Sequence, residues 1–260
     1  MWPSEKGPKM PDNDRETRVL DAVVTLVDSL LDDFDVVDLL TELTERCAEL
    51  LDIAAAGFLL ADPLGNLHLL AATSEKAREL ELFQLQSDEG PCLDCYASGR
   101  PVSVADLAAE LPRWPRFVPA AAEAGFASVH AVPMRAAGTV LGALGLFGIR
   151  TGELNEADLL VGQSLAHIAC VAIVQEHAPT SSAVAPRLRN ALSARVVIEQ
   201  AKGFVRERLA VSVEDAFTLL RRYARTNDDH LTDVARRLIA QPDSRPAILA
   251  AMATMNASPA

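Results

Sequence analysis

The sequence predicts an α+β protein in which an antiparallel sheet flanked by helices is followed by an all-α domain of three helices. Up to about residue 176 the hydrophobic spacing alternates between a helical and a strand-like period, whereas after residue 187 only the helical period remains. The charge changes at the same place: residues 1–185 carry 12 Lys and Arg against 28 Asp and Glu, and residues 186–241 carry 11 against 7. We therefore expect an acidic domain and a basic domain in this chain of 260 residues, of which 50% are hydrophobic.

The first domain is assigned to residues 14–177, after a polar, proline-rich segment, residues 1–13, that we expect to be disordered. Apolar residues recur at spacings of three and four over residues 18–31 and 36–51. This spacing predicts two amphipathic helices at the start of the domain.

Two β-hairpins are predicted in the first domain. AAAGFLLAD and LHLLAAT are joined by the turn-forming PLGN, and ASVHAVPMR and TVLGALGLFGIR are joined by AAG. The glycines of the last strand indicate that another backbone packs closely against it. Helices are predicted over residues 75–86, at the start of residues 90–107, and from an N-cap at Asn155 to about residue 175.

The linker APTSSAVAP, residues 178–186, separates the first domain from the second domain, residues 187–241. Three helices are predicted there: one to about residue 209, one starting at a capping box of Ser212 and Asp215, and one capped by Asn227, Asp228 or Asp229. The tail, residues 242–260, is poorly patterned, and only PAILAAMATM suggests a further short helix.

Cationic side chains mark the outward faces of the first two helices of the second domain. In RVVIEQAKGFVRERL, the spacing leaves Arg195, Glu199, Lys202 and Arg206 on one stripe, opposite the apolar side. Gly203, beside Ala201, costs about 1 kcal/mol relative to alanine in a helix, so its presence requires a reason. Either another helix packs closely at this glycine or a ligand approaches it.

Residues 195–239 resemble the ANTAR domain, a three-helix bacterial module of transcription antitermination regulators. The resemblance is carried by RVVIEQAKGFVRERLAVSVEDAF, LLRRYARTN and LTDVARRLI. It implies an RNA partner, namely paired stem-loops in nascent transcripts. With the cationic faces, it gives the candidate RNA-binding residues Arg195, Ala201, Lys202, Gly203, Arg206, Arg221, Arg222, Arg225 and Asn227. The chain departs from the family pattern at Asp228, Asp229 and His230, where members carry a basic pair, so fewer phosphate contacts are expected there.

The first domain resembles the GAF domain, which is often a small-molecule sensor. The resemblance is carried by DEGPCLDCYASGRPVSVADL and FASVHAVPMRAAGTVLGALGLFG. The implied protein is a signal-responsive homodimer in which the GAF input, through an unidentified ligand or partner, controls the placement of two ANTAR modules on tandem stem-loops. Binding would keep the terminator hairpin from forming.

Two alternatives remain open. Cys92 and Cys95 form a CxxC, and some GAF domains use cysteines to reduce free methionine sulfoxide, which gives a cysteine-dependent enzyme. Asp228 and Asp229 instead favour a scaffold that contacts protein only. A zinc site needs four ligands and no second cysteine pair has suitable spacing, so we assign no metal, catalytic residue or cofactor. His68, His130 and His167 are weak candidates for ligand contacts.

The composition restricts the location and the partners of the protein. A net charge of -12 argues against a general nucleic-acid coat, and four cysteines are too few for a disulfide scaffold. The N-terminus, MWPSEKGPKMPDNDRE, has no apolar stretch of signal-peptide length, and the longest apolar run identified, residues 138–149, is too short to span a bilayer. We therefore expect a cytoplasmic protein without a membrane partner.

Overall fold

Five antiparallel strands form one sheet in the computed structural model, in the order β2-β1-β5-β4-β3. The structure describes residues 12–31, 34–51, 53–136, 138–175 and 184–257. Both predicted hairpins are confirmed, since β1 pairs with β2 and β4 pairs with β5. The strands are β1 (Ala55–Ala61), β2 (Leu67–Ala72), β3 (Val102–Val104), β4 (Ser128–Ala136) and β5 (Thr139–Gly148).

Helices cover both faces of the sheet. The first face carries α1 (Asp12–Leu31), α2 (Val36–Leu50) and α6 (Glu156–Gln175), and the second carries α3 (Glu75–Ser87), α4 (Pro91–Ser98) and α5 (Phe117–Ala124). A short 3-10 helix, Leu107–Glu110, precedes α5. Of the segment predicted to be disordered, residues 1–13, residues 1–11 lie outside the described residues. The prediction is wrong for residues 12 and 13, which begin α1. We call this part of the chain the sheet domain.

Alternate residues of the central strands enter different cores. Val132 and Met134 of β4 pack toward α2 and α6, whereas Val129 and Ala131 pack toward the opposite helices. Burial on both faces explains why these strands are continuous apolar runs in the sequence. The predicted close approach of backbone to β5 is confirmed at Gly142, where an added Cβ would lie 2.0 Å from the carbonyl oxygen of Leu59.

By length and composition alone, helix α6 is apolar enough to cross a membrane, contrary to the expectation that no apolar run of this chain is long enough. Its window Glu156–Val174 has a mean hydropathy of 1.7. The helix packs on β4 and α2 through buried side chains such as Leu165, Ala169 and Ile173. The apolar composition of α6 thus corresponds to its place in the core of the sheet domain. Its N-cap is confirmed, since Asn155 Oδ1 accepts a 2.9 Å hydrogen bond from the Asp158 amide.

The second part of the chain, the helical domain, consists of α7 (Val184–Leu209), α8 (Val213–Thr226), α9 (Leu231–Ala240) and α10 (Arg245–Ala257). Helix α7 begins inside the predicted linker, residues 178–186, because Pro186 falls in its first turn, where no amide donor is needed. Residues 178–183 lie outside the described part of the chain. Helix α10 occupies most of the predicted tail and packs on α8 and α7.

The helix caps confirm one prediction and correct another. Ser212 Oγ accepts a 2.9 Å hydrogen bond from the Asp215 amide at the start of α8, as predicted. The prediction that Asn227, Asp228 or Asp229 caps α9 is wrong, because the N-cap residue is His230, which makes no side-chain cap bond. The side chain that binds the first turn of α9 comes instead from the sheet domain: Asp35 Oδ2 accepts a 2.7 Å hydrogen bond from the Thr232 amide.

Candidate nucleic-acid interface

Cations from α7 and α8 meet around the aromatic ring of Phe217. Lys202 Nζ lies 5.2 Å from the ring centroid, and the guanidinium carbon of Arg221 lies 5.9 Å from it. Both distances are within the range of a cation–π contact. The structure therefore brings together cations that the sequence analysis had placed on separate helices. We call the surface formed by Arg195, Lys202, Phe217, Arg221 and Arg225 the inner face.

One end of the inner face lies against α3 of the sheet domain. Glu199 Oε1 lies 2.5 Å from Arg195 Nη2 and 3.1 Å from Lys202 Nζ, and the two cationic side chains are only 11% and 9% exposed. Burial lowers the pKa of both Arg195 and Lys202, and the charge of Glu199 partly offsets it. On α3, a hydrogen bond from Arg78 lowers the pKa of Glu75, with smaller contributions from Lys202 and Arg195. These five charges form one network between the domains.

The other end of the inner face lies against α2. Arg221 Nη1 lies 2.7 Å from Glu45 Oε1, and Arg221 Nε donates to the Asp38 carboxylate. Arg225 Nη2 lies 3.4 Å from carboxylate oxygens of both Asp38 and Glu42. Although burial alone would lower it, the charges of Asp38 and Glu45 raise the pKa of Arg221. Arg221 is 13% exposed and Arg225 is 56% exposed.

Two further candidate residues, Arg222 on α8 and Asn227 at its C-cap, support the helical domain itself. Arg222 Nη1 donates a 3.1 Å hydrogen bond to the carbonyl oxygen of Met255 on α10. Asn227 Nδ2 donates a 2.8 Å hydrogen bond to the carbonyl oxygen of Tyr223, at the end of α8. The neighbouring Asp229 pairs with Arg237. The acidic departure from the family pattern is thus partly neutralised within the domain.

Of the three remaining candidates on α7, one is buried and two are exposed. Ala201 is 0% exposed in the core, so it makes no surface contact, contrary to its place in the predicted set. Gly203 and Arg206 are exposed. A Cβ added at Gly203 would meet nothing within 4 Å in the described part of the chain. The prediction that another helix of the described chain packs closely at this glycine is therefore wrong. Arg206 forms no ion pair with the described residues.

A groove on α8 unites the arginines with two hydroxyl groups that the sequence analysis missed. The cavity has a volume of about 370 Å³ and is lined by Thr218, Arg221, Arg222, Arg225 and Thr226. The Thr226 hydroxyl donates a 2.8 Å hydrogen bond to the carbonyl oxygen of Arg222. The guanidinium groups and the Thr218 hydroxyl are donors that suit the oxygens of a phosphate. The four-residue spacing that places Thr218 and Thr226 beside the arginines is visible in the sequence.

The CxxC of the sheet domain is enclosed rather than open to substrate. Cys92 and Cys95 are both 0% exposed, and Cys92 Sγ lies 3.6 Å from Oε1 of the buried Glu81. Burial raises the pKa of Cys95 to about 12 and, together with the charge of Glu81, raises the pKa of Cys92 well above its usual value. Buried, protonated thiols are poor nucleophiles. Among the described residues, no group of three or more His, Cys, Asp and Glu is arranged to hold a metal ion.

Of the three candidate histidines, two lie beside polar side chains and one lines a cavity. His68 lies 3.1 Å from Asp62, and His167 lies 3.2 Å from Gln163. His130 is 2% exposed and lines a cavity of about 470 Å³ beside residues 148–155, and its Nδ1 has no partner within the described chain. A second cavity, of about 650 Å³, lies between the sheet domain and α7.

Comparison with known families matches both domains. The model of the GAF domain matches residues 35–174, and the model of the ANTAR domain matches residues 187–239. The chain belongs to the family of GAF-ANTAR regulators. The sheet domain is its GAF domain, and α7, α8 and α9 form its ANTAR domain. This arrangement is that of a signal-sensing regulator with an ANTAR output domain.

Solved structures share the GAF fold. The GAF domain of a phosphoenolpyruvate-protein phosphotransferase from Coxiella burnetii is 17% identical, with a TM-score of 0.50, and covers 61% of this GAF-ANTAR regulator and 94% of that chain. The corresponding domain from Acinetobacter is 16% identical, with a TM-score of 0.48 and the same coverage. Free methionine-R-sulfoxide reductase from Neisseria meningitidis is 19% identical, with a TM-score of 0.47, covering 75% and 99%. The search of curated proteins gave no significant match.

Proposed function

We propose that this GAF-ANTAR regulator binds tandem stem-loops in nascent RNA as a cytoplasmic homodimer and thereby prevents transcription termination. The observation that carries the proposal is the groove of three arginines and two threonines on the ANTAR helix α8. Cationic donors supply most of the affinity of proteins for the phosphate backbone. Gly203 and Arg206, exposed on α7, add a surface that an RNA strand can approach without meeting a side chain at the glycine.

An exposed apolar stripe supports the homodimer. On α1 and the adjacent α6, large apolar side chains face solvent at helical spacing: Leu20 (64% exposed), Val24 (58%), Val27 (41%), Leu31 (80%), Leu160 (63%) and Val171 (43%). Contiguous exposed apolar side chains mark protein interaction sites. The same stripe on a second copy of the chain is apolar as well and can pack against it. Pairing through the two stripes would give the two ANTAR domains that tandem stem-loops require.

A mobility-shift titration tests RNA binding. We expect the protein to bind RNA that carries two stem-loops more tightly than RNA that carries one, with an affinity that falls as salt rises. Arg206→Glu should weaken this binding, whereas the matched control Arg208→Glu, exposed on the same helix and stacked on Phe204, should change it less. A protein that contacts only other proteins would shift neither RNA, and that result would refute the proposal.

Light scattering tests the homodimer separately. Val24→Asp places a charge in the apolar stripe and should reduce the measured mass to that of a monomer. Thr25→Asp adds the same charge to the neighbouring exposed position and serves as the control. Equal masses for the two variants would exclude the stripe as the dimer interface.

A double variant, Cys92→Ser with Cys95→Ser, tests whether RNA binding depends on the two thiols of the CxxC. We expect the variant to bind RNA as the wild type does, since both thiols are fully buried inside the sheet domain. Loss of RNA binding in a variant that remains folded would require a role for these cysteines in signalling.

A further inference from the structure

The acidic stripe of α2, formed by Asp38, Glu42 and Glu45, binds the same arginines that are proposed to bind RNA. Arg221 contacts Asp38 and Glu45, and Arg225 contacts Asp38 and Glu42. The acids occur at spacings of four and three along one face of α2, and the arginines are four apart on α8. The two stripes are therefore complementary in both charge and period.

Asp35 extends this contact to the next helix of the ANTAR domain. Its Oδ1 accepts a 2.9 Å hydrogen bond from the Val37 amide at the start of α2, while its Oδ2 accepts a 2.7 Å bond from the Thr232 amide at the start of α9. One carboxylate thus binds the N-termini of two helices from two domains. Helix N-termini carry unpaired amides and favour negative charge, so this contact stabilises the docked arrangement.

Carboxylates on α2 and phosphates on RNA need the same donors. A guanidinium N–H that points at Asp38 or Glu45 is not available to a phosphate oxygen, and Arg221 is only 13% exposed. Arg195 and Lys202 are similarly enclosed at the other end of the inner face. RNA therefore reaches the whole inner face only after α8 has separated from α2.

We propose that the acidic stripe of α2 is an internal docking surface that competes with RNA for the arginines of α8. The inference rests on the proposed function and adds its means of control. The structure represents the docked form, which does not bind RNA through these arginines. The apparent RNA affinity therefore equals the affinity of the open form multiplied by the fraction of molecules that are open. By linkage, RNA favours the open form. A signal that separates α2 from α8 strengthens RNA binding by the same factor by which RNA strengthens the binding of that signal.

The test neutralises the stripe in the full-length protein with Asp38→Asn, Glu42→Gln and Glu45→Gln combined. Because a loss of three negative charges strengthens RNA binding by itself, the control combines Glu49→Gln, Glu79→Gln and Glu123→Gln. These acids are exposed on the sheet domain and make no ion pair with the described part of the ANTAR domain. Circular dichroism checks that both variants are folded.

We expect the stripe variant to bind tandem stem-loop RNA about 5- to 150-fold more tightly than the control variant, the range of typical coupling between sites. Equal affinities of the two variants would overturn the internal competition and leave the proposed function standing. Absence of binding by the wild type and by both variants would overturn the proposed function, and the competition with it.

A measurement without RNA reports the docking itself. The Thr232 amide donates to Asp35 only while the domains are docked, so its hydrogen exchange should be faster in the stripe variant than in the control. Unchanged exchange of this amide in the stripe variant would overturn the inference independently of any RNA.

Discussion

Glu81 is a buried carboxyl group whose protonation should control the stability of the GAF domain. The side chain is 0% exposed between α3 and the sheet, where a Cβ added at Gly145 would lie 2.6 Å from Glu81 Oε1. Burial raises the pKa of Glu81 from 4.5 to about 8, although hydrogen bonds from Cys92 and Gln84 act in the opposite direction. The folded protein thus retains a proton that the unfolded chain releases.

This proton sets the sign of the pH dependence. Between the unfolded pKa of 4.5 and the folded pKa of about 8 the native state binds more protons, so the free energy of unfolding decreases as pH rises. The slope approaches about 1.4 kcal/mol per pH unit. With the slope reduced near each pKa, the contribution lost between pH 5 and pH 8 is about 3 to 4 kcal/mol. Glu81→Gln has no such proton, so its stability relative to the wild type should rise by this amount across the same interval.

Urea unfolding followed by circular dichroism at pH 5 and pH 8 measures the difference. Glu79→Gln, exposed on the same helix, is the control and should follow the wild type at both pH values. The reasoning is refuted if Glu81→Gln and Glu79→Gln show the same change in stability between pH 5 and pH 8.

Three further predictions follow from burial and from local contacts. Because all four thiols are buried, a disulfide reagent should label them slowly in the native protein at pH 7 and completely in denaturant. Rapid labelling of Cys92 in the native protein would contradict its buried environment. Gly142→Ala should destabilise the protein by several kcal/mol, because the new Cβ would overlap a backbone oxygen. Gly203→Ala, where the Cβ enters open space, should stabilise it by about 1 kcal/mol. A higher melting temperature for Gly142→Ala than for Gly203→Ala would be inconsistent with these contacts. Ser212→Ala should lower stability by about 1 kcal/mol through loss of the α8 cap, and an unchanged unfolding midpoint would argue against that bond.

Local patterns were sufficient to predict most elements of the fold. The hairpins followed from alternation and turn residues, and the caps at Asn155 and Ser212 followed from residue type and position. Each of these features depends on contacts within a few residues, which a single sequence displays. The start of α7 was harder to predict, because Pro186 is acceptable in a first helical turn as well as in a linker.

The site was predicted less completely because its partners are distant in the chain. The cations of α7 and α8 were identified, but their spacing does not say whether they meet solvent, RNA or another domain. The N-cap of α9 was wrongly assigned to its own neighbours because Asp35, almost two hundred residues earlier, provides the bond. The burial of Ala201 and the open surface at Gly203 also depend on how α7 packs.

The sequence alone determined which residues form helices and strands, where the acidic domain gives way to the basic one, and which family motifs the chain carries, since periodicity, charge and motif are properties of residues close together in the chain. The tertiary structure decided which charges are neighbours. Only the packing of α2 against α7 and α9 brings Asp38, Glu42 and Glu45 within reach of Arg221 and Arg225. Complementary stripes specify that two helices can pair, but not that the packing of their neighbours will place them side by side.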